Sequence, residues 1–81
     1  MYNYKVFAAQ NSGVQSLIKW QLDSQGSFFT CLWKAICAAD LDNLERLRRA
    51  YPLHIEAYDR YRLEEGWWEK LLVELRKPEV R

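Results

Sequence analysis

Eighty-one residues make one domain, near the lower limit at which a single hydrophobic core outweighs chain entropy without disulfides, a metal or a partner chain. Hydrophobic residues make up 49% of the chain, including four Trp, five Tyr and three Phe, which excludes a disordered tail. Twelve basic residues against eleven acidic ones leave no global field to draw the molecule to nucleic acid or an anionic membrane.

The opening run Tyr4-Lys5-Val6-Phe7-Ala8-Ala9 is too short for its period to separate a strand from the start of a helix, so residues 1–13 stay open between extended, disordered and helical. Gly13, after Asn11 and Ser12, reads as a break. Val14, Leu17, Ile18 and Leu22 then recur at helical spacing, which predicts a helix over 14–23 with Trp20 off to one side. Residues 23–27 form a loop by composition, and Ser27 stands where an N-cap hydroxyl would serve the next helix.

That second helix carries Phe28, Phe29, Cys31, Leu32, Ala35, Ile36 and Ala39, flanked by Trp33, with Lys34 as its only charge before Asp40. Its apolar stripe is wide, so it is expected to be the central helix. Asp40 offers a cap for a third helix, in which Leu41, Leu44, Leu47 and Tyr51 face one way and Glu45 and Arg49 stand four apart. Pro52 ends that helix and can open a fourth, carrying Leu53, Ile55, Ala57, Tyr58, Tyr61 and Leu63 up to a glycine stop at Gly66. Trp67, Leu71, Leu72 and Leu75 make the stripe of a last helix closed by Pro78, with residues 77–81 as a frayed tail. The expected fold is all-α: a compact bundle of four to five short helices in a single domain spanning 1–81.

The parts for chemistry are few. Cys31 and Cys37, six apart on one helix, lie about 9 Å apart along its axis and about 120° apart around it, so they cannot pair within it. They read as small buried hydrophobes suited to a reducing cytoplasm. With one histidine and no Cys-x-x-Cys spacing, no zinc ligand set exists and no metal or cofactor is expected. His54, in the first turn after Pro52, reads as a corner-packing or solvent-facing residue rather than a general base. No phosphate-cradling glycine loop, nucleophile elbow or calcium loop is present, and no catalytic residue is assigned.

Two surfaces remain as binding candidates. Tyr58, Tyr61, Trp67 and Trp68 gather around the junction of the last two helices, more ring area than so small a core easily hides. Arg46, Arg48, Arg49, Arg60 and Arg62 concentrate positive charge on two consecutive helices, but interleaved Glu45, Glu56, Asp59, Glu64 and Glu65 are what a salt-bridged solvent face looks like. No apolar run approaches the roughly 18 residues a bilayer span needs, and Met1-Tyr2-Asn3-Tyr4-Lys5 does not open a signal peptide, so a cytoplasmic chain without membrane contact is expected.

The stretch Gly26-Ser27-Phe28-Phe29-Thr30, with Leu32-Trp33-Lys34-Ala35-Ile36, Ala39-Asp40-Leu41-Asp42-Asn43-Leu44-Glu45-Arg46-Leu47, Tyr51-Pro52 and Ile55-Glu56-Ala57-Tyr58, resembles small helical proteins of unknown function from bacteriophages and mobile elements. The resemblance covers about residues 26–69. It implies a bacterial cytoplasm and a phage or prophage gene, and it carries no activity and no functional residues.

Three functions follow in order of support. The first is a non-enzymatic protein-interaction module, self-associating or binding a host protein, through Tyr58, Tyr61, Trp67 and Trp68. The second is a small DNA-binding regulator that sets Arg46, Arg49 and Arg60 against phosphates. The third is an enzyme working through a cysteine thiolate.

Overall fold

The structure, a computed structural model, describes residues 2–22 and 26–78. Six helices follow in order: α1 (Tyr4–Ala8), α2 (Ser12–Leu22), α3 (Ser27–Ala38), α4 (Leu41–Ala50), α5 (Pro52–Leu63) and α6 (Trp67–Arg76). No strand occurs among the described residues. The all-helical expectation holds, and the count exceeds the expected four to five. Residues 23–25 of the expected loop and 79–81 of the expected frayed tail lie outside the described residues.

The additional helix comes from the segment whose period was ambiguous. Asn3 caps it: its Oδ1 accepts from the amides of Lys5 (3.0 Å) and Val6 (3.3 Å), satisfying donors that a five-residue helix cannot satisfy itself. Asn3 also reaches the far end of the chain, where its amide donates to Leu75 O (2.6 Å) and its Nδ2 to Lys77 O (3.1 Å). Those carbonyls belong to the last turn and cap of α6 and have no amide ahead of them in that helix. One side chain thus closes α1 and fastens it to α6, while Phe7 is buried in the core.

The spine of the molecule is the packing of α2 against α5. Val14, Leu17 and Ile18 of α2 and Ile55 and Ala57 of α5 are buried. Gly13 is not a break. Asn11 caps α2 through a bond from the Val14 amide to its Oδ1 (2.9 Å), and Gly13 lies inside the first turn, buried. A Cβ at that position would overlap the Leu53 carbonyl and come within 2.7 Å of the His54 amide nitrogen. A glycine needed for close backbone approach and a glycine that ends a helix look alike in sequence.

α3 departs furthest from expectation. It starts at Ser27 with Gly26 as its cap, without a side-chain capping bond, one residue before the expected cap. It buries only Leu32, Trp33 and Ile36, so it lies at the periphery and not at the centre. Trp33 is its anchor. The indole is fully buried and lies against Trp20 with centroids 5.3 Å apart and planes 7° apart. Its Nε1 donates to Ser16 Oγ at 3.0 Å, removing the roughly 1–3 kcal/mol that an unpaired buried donor would cost.

The second half follows the sequence closely. Asp40 caps α4 by accepting from the Asn43 amide (2.8 Å), and Pro52 opens α5 at the corner after Tyr51. Leu44 is buried and Leu47 and Tyr51 half-buried, whereas Leu41, expected in the same stripe, is exposed. Glu45 pairs with Arg48 (3.0 Å) and not with Arg49. Arg48 also reaches Asp59 on α5 (2.9 Å), so the two helices are joined as a hairpin. Gly66 takes the left-handed conformation (φ 82°) that turns the chain from α5 into α6, as its place after Glu64-Glu65 predicts.

Gly13→Ala is expected to lower stability by about 2 kcal/mol, because overpacking against a backbone costs more than the ~1 kcal/mol of helix propensity gained. Urea unfolding measures it, and an unchanged or higher midpoint would refute the close approach.

Candidate functional site

Three of the four aromatic candidates, Tyr61, Trp67 and Trp68, come together where α5 turns into α6, while Tyr58 packs against the core earlier on α5. Tyr61 and Trp68 meet edge to face with centroids 5.5 Å apart, and Trp67 adjoins Trp68 at 6.3 Å. Tyr58, Trp67 and Trp68 are half-buried and pack against the core, while Tyr61 remains 38% exposed. The rings therefore have two parts. Their inner portions pack against the core, and the outer portions of Tyr61, Trp67 and Trp68 adjoin one another as a shelf.

Arginines lie over that shelf. The Arg60 guanidinium sits 4.5 Å from the centre of the Trp67 ring, and its Nε donates to Glu64 at 3.0 Å. Arg62 lies 5.2 Å from the Tyr58 ring and donates to Asp59 at 3.1 Å. Cation–π stacking and a carboxylate at the opposite side hold each guanidinium flat, leaving a rigid surface of rings and planar cations.

The same contacts bear on the arginine candidates. Asp59 receives both Arg48 and Arg62, giving a chain of charges Glu45–Arg48–Asp59–Arg62 across α4 and α5. The hydrogen bonds that Arg48 donates to Asp59 and Glu45 push its pKa further up, so it stays charged. Of the three arginines assigned to phosphate contact, Arg60 is engaged by Glu64 and Trp67, and Arg46 donates to Asn43 Oδ1 (3.0 Å). Arg49 is exposed and forms no ion pair among the described residues. Arg46 borders α3 and Arg60 covers α6, so different neighbours orient them.

His54 is a corner-packing residue. Its ring stacks on Phe29 (5.6 Å, 9°) and meets Trp33 (5.8 Å) and the edge of Tyr51 (5.6 Å). Its Nε2 is buried without a hydrogen-bond partner among the described residues, and burial lowers its pKa from the ordinary 6.5. Both thiols are free and exposed, contrary to the expectation that they are buried. Both stand on sides of α3 turned from the core, and partial burial of the Cys37 sulfur raises its pKa, which disfavours the thiolate. Among the described residues no three His, Cys, Asp or Glu side chains gather where a metal ion would sit, and no helix is long and apolar enough to cross a membrane.

A groove between α3 and α4 was not foreseen. Ala35, Ala38, Ala39, Asn43, Arg46 and Leu47 line an open volume of about 450 Å³. The signal for it lay in α3, which carries apolar residues on both sides, although only one side could be turned inward.

Comparison of the chain with known protein families, curated proteins and solved structures finds no match.

The lowered pKa of His54 gives stability a definite pH dependence. The unfolded chain binds a proton near pH 6.5 and the folded chain only at lower pH, so stability is complete above about 6.5 and declines as pH falls through the interval between the two values. His54→Phe should flatten that decline in urea unfolding measured from pH 8 to about pH 5; an unchanged slope in the variant would show that other groups produce it.

Proposed function

We propose that this chain is a non-enzymatic protein-interaction module whose contact surface is the aromatic shelf of Tyr58, Tyr61, Trp67 and Trp68. The observation that carries the reading is the gathering of rings and guanidiniums at the α5–α6 turn: Tyr61, Trp67 and Trp68 in ring contact with Arg60 over Trp67, and beside them on α5 the pair of Tyr58 and Arg62. Trp, Tyr and Arg dominate the energetics of protein interfaces because they offer large contact area at small entropic cost. A side chain already immobilised by stacking loses less freedom when a partner covers it.

The resemblance of residues 26–69 to helical proteins of phages and mobile elements belongs to the same proposal. On that reading the chain is a phage-encoded accessory protein in a bacterial cytoplasm, and the shelf captures a host protein. A DNA-binding role for Arg46, Arg49 and Arg60 has less support, since carboxylates and rings already engage much of the arginine surface.

Affinity capture from bacterial lysate tests the proposal. Tyr61→Ala and Trp68→Ala should each lower retention of a captured protein at least tenfold, with helicity largely intact by circular dichroism. Tyr61 is the cleaner variant, because Trp68 also packs against the core. Equal retention by wild type and both folded variants would remove the shelf from the interface. Binding to duplex DNA that weakens steeply from low to physiological salt would instead favour the arginine reading.

A further inference from the structure

α3 is apolar on both sides, in a molecule too thin to cover both. Nine of its twelve residues are Phe, Cys, Leu, Trp, Ala or Ile, and Lys34 is its only charge. A helix of that composition belongs in an interior. Packed helices have axes about 9–10 Å apart and a Cα radius of about 2.3 Å, so two layers measure about 14 Å across their Cα atoms and three about 24 Å. The shortest dimension of this molecule is 17 Å, which admits two layers and not three. Leu32, Trp33 and Ile36 take one side of α3 into the core, and the other stays exposed, with Phe28 touched at its edge by Phe29 and Tyr51 and with Ala35 and Ala38 open to the groove beside α4.

The uncovered side has an order of its own. Phe28, Cys31, Ala35 and Ala38 are exposed and follow one another at intervals of three, four and three residues, within an arc of about 80°. That spacing is the seam by which two helices pack knobs into holes. Phe28, 60% exposed, supplies a large knob at one end. Cys31, Ala35 and Ala38 are small enough to let another helix approach closely, and the groove beside them continues the apolar surface to Leu47 of α4, with Asn43 and Arg46 at its rim.

We propose that this face is where a second copy of the chain docks, α3 against α3 across a two-fold axis. The chemistry favours a copy of itself. The centre of the patch is apolar and Lys34 and Arg46 stand at its rim, where water screens like charges, and a two-fold contact needs only one self-complementary patch. Lys34 stands to one side of the seam. The area also suffices: α3 rises about 18 Å over its twelve residues, and its outward half with the adjoining flank of α4 offers on the order of 600 Å² per copy, or about 1,200 Å² in the pair, the lower end of specific interfaces. This contact is separate from the aromatic shelf at the α5–α6 turn and stands or falls without it.

Sedimentation of the full chain between about 5 and 500 µM tests the proposal. The mass should rise from 9.7 kDa towards twice that value. Ala35→Glu, which sets a charge in the middle of the seam, should remain monomeric throughout, with its helicity retained. Val73→Glu, on exposed α6 surface, should associate like wild type. Alkylation of the unmutated chain gives a second readout: Cys31 should react several-fold more slowly as concentration rises, while the rate at Cys37, on another side of α3, should not change. A chain monomeric at every concentration overturns the proposal, as does an Ala35→Glu chain that still dimerises or a Cys31 rate indifferent to concentration. Capture of a different protein on α3 by a chain that stays monomeric overturns it equally.

Discussion

The architecture depends on the absence of one side chain. At Gly13 the first turn of α2 lies against the Leu53 carbonyl at the start of α5, at a separation no Cβ could occupy. With that crossing in place, Val14, Leu17 and Ile18 reach Ile55 and Ala57, and the resulting strip of buried surface receives everything else. α4 folds back on α5 through Arg48 and Asp59, α6 returns through the turn at Gly66, and α1 is fastened across the end by Asn3. α3 is attached differently, by one fully buried indole held between Ser16, Trp20 and the ring of His54.

What was legible in the sequence was the part governed by local rules. Asp40, Pro52 and Gly66 mark helix boundaries through properties of single residues, a carboxylate that accepts, a ring that fixes φ and a backbone that tolerates positive φ, and each serves as read. What was not legible depended on neighbours distant in sequence. Gly13 resembles a break until Leu53 is placed beside it, and α1 becomes a helix because Asn3 caps it and is itself held by Leu75 and Lys77. The burial of α3 was overestimated for a related reason. Periodicity tells which residues are apolar, but how many sides of a helix find cover is decided by the number of layers in the finished fold.

The aromatic site shows the same division. Rings close in sequence on either side of one turn are brought close in space, so Tyr61, Trp67 and Trp68 meet, while Tyr58 packs against the core under Arg62 instead. The arginines had no such constraint. Their apparent patch divides among Glu45, Asp59, Glu64 and two aromatic rings, because charges three or four residues apart on a helix find partners within a turn, and Arg48 finds one on the facing helix. The exposed thiols follow from the peripheral position of α3, and the buried ring of His54 from the corner at Tyr51-Pro52 that turns it against Phe29 and Trp33.

The clasp made by Asn3 has a mechanical meaning. Because it joins residue 3 to Leu75 and Lys77, tension applied through the two ends of the chain would be borne first by those hydrogen bonds, not by the crossing of α2 and α5. Loaded there, the bonds of Asn3 would part first, and further pull on α1 would then draw Phe7 out of the interior.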